Sequence, residues 1–310
     1  MGLLRLTLMP AVITIHMLGL VRPEDSGVWQ YVILALFNGV VPALFVISGY
    51  FLKVERKTYL GCIVDPLRRI VPVHLFWMLI YYLLAVSNNY HPGINLRDIL
   101  SGGIAYHLWF LPALAAGLVI VGLLMKFGRS WLTWAVLILM TSAALLRGSY
   151  HELFSLAGEA QRSGLLAAPL LVGLGVLYRQ RPIRLSSNVL LAFAVVSFLA
   201  QFAENALLAQ ASGTEQLARP FGLSTYAMAV ALFMLGREYL NRPTGALFLR
   251  ASRSTLGIYA IHVAVLGTLI SVINDRHAYT VVALIVVTFL VSSALSQIMA
   301  LIPGLRRFVC

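Results

Sequence analysis

The chain has 310 residues, of which 60% are hydrophobic and 11% charged, with a mean hydropathy of +0.88. That balance excludes a water-soluble globular protein and points to a polytopic membrane protein, so the bilayer is the solvent in which the sequence must be read. The net charge of +12 is not gathered into a basic patch interleaved with aromatic residues, so nucleic acid is not an expected partner.

The first apolar stretch, Arg5 to Met17, reads RLTLMPAVITIHM and places one arginine and one histidine in an otherwise apolar run. As an α-helix, the step from Arg5 to His16 rises about 16 Å and ends about 20° past three full turns, so both side chains leave from one stripe. With an apolar membrane core about 30 Å thick, Arg5 falls at one interface and His16 near the midplane, where an ionisable group marks a functional site. The stretch lacks a small-residue cleavage site before Pro23 and reads as a retained first helix.

Ten apolar segments of spanning length follow one another, at 4–21, 30–52, 70–87, 106–126, 131–147, 163–178, 187–209, 220–236, 254–273 and 279–303. The expected fold is therefore an all-α integral membrane protein with about ten transmembrane helices, forming a single domain over 1–310 with no appended soluble domain. All but six of the 23 basic residues lie in alternate loops starting with the N-terminus; the six are Arg22, Arg97, Arg147, Arg162, Arg219 and Arg276. This bias predicts that both termini are cytoplasmic and that the protein is a multi-pass component of the cytoplasmic (inner) membrane. Cys62 and Cys310 form no spaced ligand motif or disulfide framework, and no metal is expected.

The second segment ends in VVPALFVISGYFLK, where Pro42, Ser48, Gly49 and Tyr50 interrupt the apolar run; small residues and a proline at this depth serve either close helix packing or a site. A basic loop then feeds Arg68 and Arg69 into the start of the third segment. Positive-inside topology accounts for Lys53, Arg56 and Lys57, whereas two adjacent arginines suit an anion such as phosphate.

These stretches resemble the acyltransferase 3 family of membrane acyltransferases. Arg5 and His16 fit its R-X10-H signature, LFVISGY is similar to its FFxxSG segment, and LRRIVP resembles its arginine motif, with Pro66 where the first arginine of R-X2-R would stand. HLWFLPAL at 107–114 and STLGIYAIH at 254–262 match later helices in the same order. The resemblance implies O-acyl transfer, usually of acetyl, from a cytoplasmic acyl-CoA such as acetyl-CoA to a hydroxyl of an envelope glycan or its lipid-linked saccharide precursor. His16 would then act as general base or as acyl acceptor. Arg5, Arg68 and Arg69, with Ser48 and Tyr50, would hold the donor.

Other polar residues are weaker candidates for substrate contact. His107 and Trp109 are either part of an aromatic belt or, as the resemblance suggests, of an active-site wall. Tyr259 and His262 share a helical face and serve either an interhelical hydrogen bond or the substrate. Glu204 is either an acceptor contact or a snorkelling side chain. His74, His91, His151 and His277 have no partner legible in the sequence and are expected at interfaces. Two other functions fit the composition: a transporter or flippase built on the same fold, or a membrane subunit whose polar groups only pack.

Overall fold

A backbone immersed in hydrocarbon must satisfy its own N–H and C=O groups, and this chain does so with helices: the computed structural model is 84% helical with no strand among the described residues. Those residues are 1–18, 27–93, 95–96, 99, 102, 104–154, 164–213, 221–240, 245–273 and 277–310. Arg22, Arg97, Arg162, Arg219, Arg242 and Arg276, which entered the charge count, lie outside them. Among the described residues, seven helical spans are long and apolar enough to cross a membrane, against the ten expected; the helices Gly2–Leu18 and Gly164–Gln180 are apolar but shorter. The internal contacts group the residues into two units, one of 1–40 with 236–310 and one of 41–235.

In the first unit, α1 (Gly2–Leu18) packs on α10 (Ala246–Arg253), α11 (Thr255–Val272) and α12 (Ala278–Leu301), and α11 packs on α12. Ile13 and Met17 of α1 close on Leu266 of α11 and on Val281 and Leu284 of α12. Gly257 makes the far end of this bundle tight: the backbone there accommodates the Ser296 hydroxyl and the Val309 side chain where a Cβ would stand. The Ser296 hydroxyl donates to the Ser254 carbonyl at 2.8 Å, tying α12 to the start of α11. The unit also holds α2 (Val28–Phe37).

The second unit contains α3 (Val40–Phe51), from Val41 onward, α4 (Tyr59–Ser87), α5 (Phe110–Lys126), α6 (Ser130–Arg147), α7 (Gly164–Gln180), α8 (Ser187–Ser212) and most of α9 (Leu223–Leu240). Its centre is α7, a helix of only 17 residues that packs between α5 and α6 with Ala167, Leu171, Val172 and Val176 all at 0% exposure. Protein surrounds these positions, so α7 need not match the full bilayer thickness by itself. Contacts gather the loops at two opposite ends of the unit. At one end the Tyr59 hydroxyl donates to the Lys126 carbonyl at 3.1 Å and Arg179 pairs with Glu55 at 2.6 Å. At the other end Tyr150 and Glu204 meet the start of α9.

Two boundaries differ from the sequence expectation. The segment at 30–52 is two helices, α2 and α3, separated by a turn at Asn38 and Gly39. The third helix begins at Tyr59 and not at 70, because the Thr58 hydroxyl accepts from the Gly61 amide at 3.0 Å and caps it. Arg68 and Arg69 therefore lie within α4, between Pro66 and Pro72, and not in a loop. A helix of 29 residues is about 43 Å long, which exceeds an apolar core of about 30 Å and leaves its first, charged turns outside the hydrocarbon.

The glycine of the LFVISGY stretch has a packing role. A Cβ on Gly49 would collide with the Val172 carbonyl of α7, and one on Gly175 of α7 would collide with the Val46 carbonyl of α3. The two helices thus cross backbone to backbone at reciprocal glycines, the close approach that small residues permit in membranes. Gly175→Ala or Gly49→Ala should each cost about 1–3 kcal/mol through overpacking, whereas Gly267→Ala, inside α11 with open space around it, should be neutral to stabilising by up to about 1 kcal/mol. Thermal unfolding of the detergent-solubilised variants, followed by size-exclusion chromatography, measures the contrast; equal midpoints for all three would refute the crossing.

Candidate functional site

In the first unit, α1 is one continuous helix from Gly2 to Leu18, so Arg5 and His16 do share a helix. Pro10 lies between them; its missing N–H leaves the Leu6 carbonyl without its helical donor and softens the turn between the two functional positions. Arg5 is exposed and His16 half-buried. The His16 ring stacks on the ring of His262 with centroids 5.1 Å apart and planes 27° from parallel. His262 is fully buried, and its Nδ1 lies 2.6 Å from the Tyr259 carbonyl oxygen. A carbonyl only accepts, so the neutral ring carries its proton on Nδ1 and a lone pair on Nε2. The Tyr259 ring, itself buried, lies 5.8 Å from that of His262. Sequence spacing revealed the Tyr259–His262 face, but nothing in it signalled that His262 meets His16 from the opposite end of the chain.

The remaining predicted residues belong to the second unit. The Ser48 hydroxyl donates to the Leu44 carbonyl of its own helix at 2.7 Å. Tyr50 joins an aromatic cluster, with ring centroids 5.4 Å from Phe51, 5.5 Å from Phe233 and 6.4 Å from Tyr178. Arg68 and Arg69 are exposed on α4. His107 is buried at 1% exposure, with its ring edge-on to Tyr81 at 5.1 Å. Trp109 stands between Phe45 at 6.1 Å and Phe221 at 5.6 Å, and its indole passes over Gly164, where a Cβ would not fit. Protein contacts, more than a lipid-facing belt, surround His107 and Trp109. His74, expected at an interface, is instead buried and donates from Nε2 to the Ile99 carbonyl at 2.6 Å.

Glu204 has a role that its sequence context did not suggest. Its carboxylate accepts from the Leu223 amide at 2.7 Å, from the Ser224 amide at 2.9 Å, and from the hydroxyls of Ser224 and Tyr150. These amides open α9, so a carboxylate on α8 supplies the N-terminal cap and meets the positive end of that helix dipole. Gly222 leaves the room for it. Burial, and then the Glu204 carboxylate beside it, push the Tyr150 hydroxyl up to about 12, so Tyr150 stays protonated and donates throughout the physiological range. Tyr150 and Ser224 were missed because a cap supplied by another helix leaves no local motif.

Glu204→Ala should strip α9 of its cap and cost about 1–3 kcal/mol; Tyr150→Phe should cost less, since the backbone donors keep their acceptor. Because the two side chains share one network, the double variant should be less destabilised than the sum of the singles. Thermal midpoints of the four proteins complete the cycle, and strict additivity would contradict the bond.

Comparison with known proteins agrees with this arrangement of motifs. The model of the acyltransferase 3 family, described as an acyltransferase domain, matches residues 1–297. Among curated relatives, a serine/alanine racemase of Enterococcus gallinarum is 28% identical over 225 residues, 64% of this chain and 31% of that protein. An amino-acid racemase of Enterococcus faecalis is 30% identical over 158 residues, 44% of this chain and 22% of that protein. The chain thus spans less than a third of either relative. No solved structure matches it.

Proposed function

The chain belongs to the acyltransferase 3 family, and on that premise we propose that it is an integral-membrane O-acyltransferase that moves an acetyl group from acetyl-CoA to a hydroxyl of a cell-envelope glycan or its lipid-linked precursor. The reading also places it in the cytoplasmic membrane, with the donor on the basic side. The observation that carries it is the stacking of His262, oriented by the Tyr259 carbonyl, on His16, whose own helix also bears Arg5.

In this reading a ring nitrogen of His16 takes the proton of the acceptor hydroxyl while the oxygen attacks the thioester carbonyl. The carbon–sulfur bond breaks, and the imidazolium returns its proton to the departing thiolate, giving ester and free thiol. In the covalent variant the imidazole attacks first and passes the acyl group to the hydroxyl in a second step. His262 is a positioning residue: its ring restricts how the His16 ring can turn, and its own orientation is held by one short hydrogen bond. The exposed guanidinium of Arg5 suits the donor's phosphates; Arg68 and Arg69, exposed on α4 of the second unit, are separate candidates for an anion contact.

The second reading is a transporter or flippase of a small solute or glycan intermediate on the same fold. Two curated relatives are named for amino-acid racemisation, which makes serine and alanine the small solutes to try, although the shared region is a minor part of those proteins.

Purified protein in nanodiscs, supplied with labelled acetyl-CoA, decides between them. The wild type should hydrolyse or transfer the label, and His16→Ala should bind the donor yet turn over at least about 100-fold more slowly. His262→Ala should lower kcat with KM for the donor little changed, and His262→Phe, which keeps a stacking ring, should recover part of the loss. Label retained on protein without acceptor marks the covalent route. If folded wild type binds no acyl-CoA but moves labelled serine or alanine into proteoliposomes, acyl transfer is refuted.

A further inference from the structure

At one end of the second unit, Lys53, Glu55, Arg56, Arg179 and Gln180 line a cavity of about 340 Å³. The positive-inside rule accounts for basic loops in general but not for a cavity with this internal arrangement. Arg179 donates to the Glu55 carboxylate at 2.6 Å, and Gln180 approaches the same oxygen at 3.5 Å. The Nε–H of Arg179 is buried with no acceptor among the described residues, and Lys53 and Arg56 make no ion pair there. Lys57, in the same loop as Lys53 and Arg56, is occupied by Asp65 at 2.5 Å.

The charge balance decides the sign of a ligand. α7 ends at Gln180, which lines the cavity, and α3 ends at Phe51, two residues before Lys53; each helix end is equivalent to about half a negative charge. Glu55 adds one more. Three cations, Lys53, Arg56 and Arg179, outweigh them by about one charge. The walls are also pre-organised: the reciprocal glycine crossing of Gly49 and Gly175 and the rings of Tyr50, Tyr178 and Phe233, 5.2–6.4 Å apart, fix the ends of α3 and α7 directly behind the cavity. A guanidinium with a spare N–H, a second guanidinium and an exposed ammonium offer more donors than a single carboxylate or a neutral solute uses, and suit the several oxygens of a phosphate group.

We propose that this cavity binds the phosphate of a phosphate ester, with Glu55 as a built-in competing anion that occupies Arg179 when no ligand is present. Binding exchanges one carboxylate partner of the guanidinium for phosphate oxygens, so the site is tuned below its full affinity by its own acid. The phosphate can come from a soluble donor such as coenzyme A, in which case the site deepens the acyl-transfer reading and rests on it, or from an anionic lipid headgroup.

Two titrations on the intact protein test this and separate the sources: coenzyme A against phosphatidylcholine nanodiscs, and phosphatidylglycerol against phosphatidylcholine nanodiscs without coenzyme A. In at least one, Arg179→Gln and Lys53→Gln should each weaken binding about tenfold, Glu55→Gln should tighten it several-fold, and added salt should weaken it. Glu55→Gln keeps the proposal testable even if Arg179→Gln fails to fold. No binding of either phosphate source, or binding indifferent to Lys53 and Glu55, overturns the proposal. Turnover of acetyl-CoA by wild type alongside that result would leave acyl transfer standing, whereas site-dependent binding without turnover would retain the cavity and remove acyl transfer.

Discussion

The constraint on which this structure depends is that a backbone N–H or C=O inside the hydrocarbon has no water to fall back on, so its partner must come from within the chain. Hydrogen bonding across helix ends is one outcome. Glu204 of α8 closes the first amides of α9, and Ser296 of α12 takes up a carbonyl at the start of α11. Within single helices, hydroxyls turn back on the preceding turn, as Thr14 does to Pro10 and Ser48 to Leu44. The same requirement orients the histidines. His262 and His74 each donate to a backbone carbonyl, which selects their tautomers and leaves the opposite nitrogen with a lone pair. A group that chemistry could use is thus prepared by a bond that stability requires.

Close packing follows from the absence of a hydrophobic drive between helices in lipid. Dispersion must then supply cohesion, and it rises as backbones approach. The reciprocal glycines of α3 and α7, Gly164 beneath Trp109 and Gly257 beside Val309 are places where the chain uses a missing Cβ to gain contact. The LFVISGY stretch shows that one motif can carry several tasks: its glycine serves helix crossing, its serine is satisfied locally, and its tyrosine enters an aromatic cluster.

What could be read from the sequence divides by range. Helices lie under all of the apolar segments because hydropathy and helix length are local quantities, and the family membership was legible because several motifs occur in order along one chain. Arg5 and His16 were assignable to one helix for the same reason. The start of α4 was not, because a threonine cap outweighed a run of charges that looked like a loop. Nor were the pairing of His16 with His262, the capping of α9 by Glu204, or the burial of His74 against Ile99, each of which joins distant segments whose local sequence is the same with or without the contact.

The basic loops present the sharpest instance of that limit. A lysine or arginine flanking a membrane helix satisfies the positive-inside rule wherever its side chain points, so a count of charges treats Lys53, Arg56, Lys57 and Arg179 alike. Three dimensions separate them: Lys57 is neutralised by Asp65, Arg179 in the last turn of α7 is held by Glu55, and Lys53 and Arg56 face a cavity without an ion-pair partner among the described residues. Topology needs only the sum of these charges. Recognition needs their difference, because an anion is drawn to the place where cations exceed the acids and helix ends around them. A loop can therefore meet the first demand with any arrangement, and only the arrangement found here, with one acid set against three bases at a rigid helix crossing, also meets the second.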